Sequence, residues 1–223
     1  MGKRLRHPRS RRSFERRQGK RSPRKCVLIV CEGEKTEPKY FESLRRKLRL
    51  QSAEVRICGK ECGSAPVSVV EFAMQEKDRR KREVKQGHAP VEYDSIWCVI
   101  DVEESGKNPS LLDALQRAKD NKVDVALSNP CFEFWILLHL RDGGKPYRNC
   151  KEVIHDLANA LGRLYGKGDD IFEELFPYIQ DAIRRATNLE QRQAYDRTKF
   201  PNPSTQVHHL VKFLLSWQQA EAR

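Results

Sequence analysis

At 223 residues the chain is long enough to bury a real core, and one domain with a modest extension is the default. Charged residues make up 33% and apolar residues only 38% of it, so part of the chain is expected to stay outside the packed core. Residues 1–25 hold twelve Lys and Arg against the single acid Glu15, a net +11 of the total +12, which excludes a domain-wide basic surface as the meaning of the high isoelectric point.

In chain order, residues 1–24 read as a disordered basic arm without an apolar period. Arg11, Arg12, Arg16, Arg17 and Arg21 give it the composition of an arm that contacts nucleic acid or an acidic partner, a solubilising extension being the plainer alternative. No apolar stretch follows that would complete a signal peptide, and no run approaches the roughly 18 apolar residues of a membrane span. A cytoplasmic protein that does not enter the membrane is expected.

Residues 25–142 read as an α/β domain. Cys26–Cys31 is an unbroken apolar run, the pattern of a strand buried on both faces. It stops at Glu32-Gly33, and Thr36 can cap a helix whose apolar face uses Tyr40, Phe41, Leu44 and Leu48. Glu54–Cys58 reads as a second strand, followed by a helix from Ser64-Ala65-Pro66 to Gly87. Ser95–Ile100 is a buried strand that stops at Asp101. After a loop with Gly106 and Pro109, a helix runs through Leu111, Leu112, Leu115 and Ala118. Val123–Leu127 is the fourth strand, ended by Ser128-Asn129-Pro130 and followed by an apolar helix over 131–140. Four strand–helix alternations predict a parallel sheet of about four strands flanked by helices. Residues 143–223 read as a helical extension packed on that domain, with segments near 149–164, 169–186, 187–198 and 204–219, the last started by Asn202-Pro203-Ser204-Thr205 with Ser204 or Asn202 as its cap, and no strand.

Ligands of open parallel sheets bind beyond the carboxyl ends of the strands, and acids mark three of these four ends. The first strand delivers Glu32, with Glu34 and Glu37 beside it. The third delivers Asp101, then Glu103 and Glu104; the turn after the fourth brings Glu133. Each acid taken singly is explained by solvation or by a helix dipole. Glu32 and Asp101 differ, because each directly ends an apolar strand. Carboxylates forced together repel unless a proton or cation lies between them. Mg²⁺ or Mn²⁺ suits such oxygen ligands and keeps positions for water and phosphate. Gly33 and Lys35, at a turn and a helix N-terminus, could hold a phosphate.

These residues, Cys31-Glu32-Gly33-Glu34-Lys35-Thr36-Glu37-Pro38 with Tyr40-Phe41, then Asp101-Val102-Glu103, Ser128-Asn129-Pro130-Cys131-Phe132-Glu133-Phe134-Trp135 and Asn202-Pro203-Ser204-Thr205, resemble in that order the RloB family, bacterial proteins similar to the second component of the AbiL abortive-infection system. The resemblance covers the chain from about Lys25 onward. It implies a Toprim-like, Rossmann-like domain, as in topoisomerases, primases and OLD nucleases. On that pattern Glu32 is the general base or a metal ligand, and Asp101 is the first acid of an Asp-x-Asp pair. Glu103 stands at the second acid, one methylene longer than the pattern. Glu133 lies in the family's own SNPxFEFW element, where ion binding is inferred. The resemblance further implies phage defence beside an ABC- or OLD-type ATPase, as a Mg²⁺- or Mn²⁺-dependent endonuclease with Glu32, Asp101 and Glu103 as catalytic residues. DNA and RNA, including transfer RNA, remain open as substrates. The alternative is a catalytically weak adaptor that binds nucleic acid and the ATPase.

The remaining features read as structural. Cys26, Cys31, Cys98 and Cys131 sit in or beside apolar runs as free thiols, and Cys58 and Cys62 form one pair without a second at zinc spacing. Trp97, Phe134 and Trp135 read as core. His139 is on a different helix face from Glu133, and His208-His209 reads as a surface feature. Arg184, Arg185, Arg192, Arg197 and Lys199 are either a solvated helical face or a phosphate-tracking groove.

Overall fold

The computed structural model describes residues 26–50, 53–57, 65–102, 109–194 and 199–221, with only the backbone described at 53–57, 109 and 219–221. The basic arm, Cys58, Cys62, Glu103, Glu104, Gly106 and Arg197 lie outside the described residues. The elements alternate as β1 (Val27–Cys31), α1 (Thr36–Lys47), β2 (Ala53–Ile57), α2 (Pro66–Lys85), β3 (Ser95–Asp101), α3 (Pro109–Asp120), β4 (Asp124–Asn129) and α4 (Glu133–Leu140). The expected α/β architecture is present: four parallel strands in the order β2-β1-β3-β4.

That order decides where a ligand can bind. The chain moves from β1 outward to β2, returns across to β3, and continues the other way to β4. The connections therefore diverge between β1 and β3, and a crevice opens beyond their carboxyl ends. Glu32 follows β1 directly, and Asp101 is the last residue of the neighbouring β3.

Side-chain alternation sends each strand to two cores. Val27, Ile29, Cys31 and Val99 pack with α1, α4 and the C-terminal helices. Leu28, Val30, Ile96, Cys98 and Ile100 pack with α2 and α3. All five residues of β1 are buried, which is why its sequence shows no polar alternation.

The C-terminal portion adds α5 (Cys150–Leu161), α6 (Phe172–Leu175), a single 3-10 turn at Phe176–Tyr178, α7 (Ile179–Gln193) and α8 (Val207–Glu221). Helix α4 lies against the sheet and packs on both α5 and α7. This explains its all-round apolar sequence, since a helix with no solvent face needs no polar stripe. Trp135 at its centre is fully buried, and Trp135→Ala is expected to cost about 3–5 kcal/mol, measurable by urea unfolding. A side chain on Gly143 would collide with the ring of Phe134, so the chain leaves α4 along a path that only glycine permits.

Four local expectations are corrected. The C-terminal portion does contain a strand, β5 (Ser204–Thr205), antiparallel to β4 with Ser128 opposite Thr205; two residues are too few to show alternation. Asn202 does not cap α8: its side chain accepts from the Tyr147 backbone N–H (3.0 Å) and donates to the Tyr147 carbonyl (2.7 Å). Thr36 is the first residue inside α1 and not its cap, because its hydroxyl is used elsewhere. Cys131 is not a free thiol but is joined to Cys150, a bridge that ties the entries of α4 and α5 and is more usual in oxidising compartments. Among the described residues no helix is long and apolar enough to cross a membrane.

Candidate metal centre

The centre grows from the way β1 ends. Glu32 donates its backbone N–H to the Val99 carbonyl (3.0 Å), so the chain stays beside β3 for one residue past the strand. Its side chain then reaches along the strand end, and Oε2 accepts the backbone N–H of Asp101 (2.9 Å). One carboxylate is thereby fixed by the residue that carries the next. Beyond Asp101 the backbone N–H of Val102 donates to the Ser128 carbonyl (2.8 Å), which anchors this end of β3 to β4.

Glu37, in the first turn of α1, is only 7% exposed. Its carboxylate lies against Gly33, where any Cβ would collide with both oxygens, and it is held by the backbone N–H groups of Gly33 and Glu37 itself. Gly33 is thus a cradle for a protein carboxylate. Gly33→Ala must displace Glu37, and is expected to weaken divalent-metal binding at least about tenfold, as loss of a ligand's supporting contacts does. Titration calorimetry with Mn²⁺ would measure it, and unchanged affinity would exclude the role.

Glu133 opens α4 with 1% of its surface exposed. Thr36 donates its hydroxyl to Glu133 Oε1 (3.2 Å). Glu133 Oε2 is 3.2 Å from Cys150 Sγ and 3.7 Å from Lys167 Nζ. Because Cys150 is bridged to Cys131, its sulfur has no proton to donate and supplies no thiolate ligand. The cation comes from a loop between α5 and α6, where Lys39 Nζ donates to the Gly168 carbonyl and Gly168 lies against the Lys35 side chain. Lys35 itself is exposed at this rim.

The electrostatics match a carboxylate cluster with too little positive charge. Burial, then Glu37, Glu133 and Glu32, push the Asp101 carboxyl well above its usual range, against the pull of Lys167. Burial raises Glu37 as well, with Glu133 adding to the shift and backbone N–H groups and Lys167 opposing it. Asp101 Oδ1 is buried and has no hydrogen-bond partner among the described residues. A buried carboxylate oxygen left without a partner, on a group that three other carboxylates repel, is costly unless a proton or a cation satisfies it. An all-oxygen donor set of this kind suits Mg²⁺ or Mn²⁺, so the residues fit that ion, with Glu32, Glu37, Asp101 and Glu133 as the groups that would hold it.

Of the expected residues, Glu32 is bonded to the Asp101 backbone, Glu133 acts on Asp101 electrostatically from the start of α4, and Lys35 stands exposed beside Gly168. Gly33 takes part through Glu37. Two contributors gave little sign in the sequence. Glu37 lies one helical turn beyond Gly33, a spacing that could have linked them, while Lys167 arrives from a loop with no local signal.

His139 is a core residue: its Nδ1 faces the Trp135 carbonyl (3.1 Å), its Nε2 faces the Tyr40 hydroxyl (3.2 Å), and burial pushes its pKa down to about 4. Arg185 donates to the Leu138 and His139 carbonyls (both 2.8 Å) and so closes the end of α4. Arg184 pairs with Asp181 (2.7 Å) and, with Arg192, lines an open groove beside Asp142 and Gly144. His208 is fully buried, which corrects its expected surface position; α7 packs over that side of α8.

The family model described as RloB-like protein matches residues 27–214. No curated protein and no solved structure matches the chain.

Proposed function

The chain belongs to the RloB-like family, and from its buried carboxylates we propose that it is a Toprim-like, Mg²⁺- or Mn²⁺-dependent endonuclease acting in phage defence with a partner ATPase. The observation that carries the reading is Asp101 Oδ1, buried at the β1/β3 crevice with no hydrogen-bond partner among the described residues, on a carboxyl that Glu37, Glu133 and Glu32 repel.

When bound, the ion would polarise a phosphoryl oxygen and lower the pKa of a water. The chain's own groups do the rest. Glu32, locked on the Asp101 N–H, and Asp101 form the fixed ligand pair, with Glu103 two residues further on as a third acid. Glu133 is oriented by Thr36. Glu37, whose carboxyl is raised by burial, is the candidate acceptor for a proton from the attacking water. Lys35, Lys39 and Lys167 supply positive charge at the rim where a phosphodiester would enter.

The arm, with Arg11, Arg12, Arg16, Arg17 and Arg21, adds sequence-independent attraction to a phosphate backbone. Deleting residues 1–22 is expected to weaken nucleic-acid binding and flatten its dependence on salt while leaving the metal centre able to bind Mn²⁺. Fluorescence anisotropy over a salt series measures both affinity and slope.

The direct test uses the full chain with Mg²⁺ or Mn²⁺ on total transfer RNA, plasmid and single-stranded DNA, with and without the ATPase. Cleavage of one class, abolished by EDTA, is expected. Intact substrates in every arm, from protein shown to bind Mn²⁺, would overturn the nuclease reading and favour the adaptor.

A further inference from the structure

Away from the carboxylate centre, α7 and α8 bring together Glu190, His208 and His209. His209 Nε2 is 3.0 Å from Glu190 Oε1, and His208 Nε2 is 3.1 Å from Glu190 Oε2. The two rings stack with centroids 4.0 Å apart. One carboxylate thus engages two neighbouring imidazoles through the same kind of nitrogen.

The buried ring decides what this means. His208 Nδ1 is 3.1 Å from the Thr205 backbone carbonyl and Nε2 is 3.1 Å from Glu190 Oε2; both partners only accept, and a neutral ring has one proton for the two contacts. With that proton directed at the carbonyl, Nε2 is a bare lone pair aimed at a carboxylate oxygen. Two acceptors at that distance repel unless a cation lies between them. A second proton would serve and Glu190 favours it, but burial with no exposed side-chain surface, with His209 and Lys212 adding to the effect, disfavours an imidazolium on balance. A metal ion needs this arrangement: a metal-ligating imidazole usually gives its other N–H to a carbonyl or carboxylate, which fixes tautomer and orientation.

We propose that Glu190, His208 and His209 form a second metal site, selective for a zinc-type divalent cation. Two imidazoles and one carboxylate are borderline ligands of the zinc class, unlike the all-oxygen set around Asp101. The donor atoms all lie within 4.8 Å of one another; donors around a tetrahedral zinc stand about 3.3 Å apart, as bond lengths near 2.0–2.1 Å require. The closest separations already match. Three protein ligands leave a fourth position, and Glu190 also lines a cavity of about 290 Å³ with Thr205, Gln206 and Val102. A water or small anion can complete the shell from that side. The ion fastens α8 to α7 beside the residue that follows Asp101.

Metal-stripped full-length protein would be titrated with Co²⁺ while Mg²⁺ occupies the oxygen site, following visible absorption and calorimetry. One equivalent bound with a nitrogen-ligand spectrum is expected. His209→Gln and Glu190→Gln, both at half-exposed side chains, should weaken it at least about tenfold, whereas Asp101→Asn should leave it unchanged. Zn²⁺ should compete with Co²⁺ and raise the melting temperature of the wild type but not of His209→Gln. Equal Co²⁺ uptake by wild type and both variants, or no uptake by any, overturns the site. So does nitrogen-15 NMR showing His208 doubly protonated at neutral pH in the presence of Zn²⁺.

Discussion

Glu32→Gln and Asp101→Ala are each expected to lower metal-dependent cleavage by on the order of 10³-fold or more, because a bound ion supplies several kcal/mol of transition-state stabilisation. The two substitutions separate charge from geometry. Gln at position 32 keeps an oxygen that can accept the Asp101 N–H, so the strand end should hold its shape while the ligand loses its charge. Ala at position 101 removes the orphaned oxygen and leaves the backbone bond in place. Both proteins should remain folded by circular dichroism. Cleavage within tenfold of wild type in both variants would mean that the chemistry lies elsewhere on the chain.

Asp101→Asn is expected to raise the melting temperature of the metal-free protein once the pH is high enough to ionise the wild-type cluster, because the amide keeps the side chain's shape and removes its repulsion by Glu37, Glu133 and Glu32. The pH dependence follows from the same groups. The Asp101 and Glu37 carboxyls are raised in the folded protein, so between about pH 4, their ordinary range, and their folded values the native state binds more protons than the unfolded chain. Stability of the metal-free wild type therefore falls as pH rises through that window. Mg²⁺ or Mn²⁺ should reverse the fall, since it binds only the ionised cluster. Thermal shift measurements from pH 4 to 9, with and without Mn²⁺, should show this convergence in the wild type and a flatter, metal-insensitive profile in Asp101→Asn. A wild-type profile that is flat without metal would contradict the buried-cluster account.

Burying carboxylates against one another is a stability cost with a functional return, and it limits what the chain alone can reveal. The strand order was not visible in the sequence, but the apolar runs ending at Glu32 and Asp101 were, and a parallel sheet is enough to put both ends on one edge. Glu133 was legible as an acid opening an all-apolar helix. Glu37 was harder to read, because an acid in a first helical turn is already explained by the helix dipole; only the collision at Gly33 shows that its carboxylate is turned inward. Lys167 could not be foreseen, since nothing local marks a loop residue that reaches a site by tertiary folding. The two-residue β5 and the Cys131–Cys150 bridge were missed for a similar reason. Both join segments far apart in sequence, and neither leaves a periodic pattern.

His208 and His209 show the same limit from the other side. Adjacent polar residues near a helix start read as surface, yet α7 packs over α8 and buries one of the pair. The hydrophobic residues nearby, Leu189, Val207 and Leu210, are all buried, and it is their packing that brings Glu190 onto the two rings.

Glu32, Glu37, Asp101 and Glu133 are the proposed ligands of a divalent ion. Electron paramagnetic resonance of Mn²⁺ added to the full chain, with Zn²⁺ present to fill any nitrogen-ligated site, tests this assignment without assuming a substrate. The wild type should remove Mn²⁺ from the free-ion signal and Mg²⁺ should compete it back, while Glu32→Gln combined with Asp101→Asn should leave the Mn²⁺ free. Equal Mn²⁺ binding by the wild type and the double variant, or none by the wild type at millimolar metal, would contradict it.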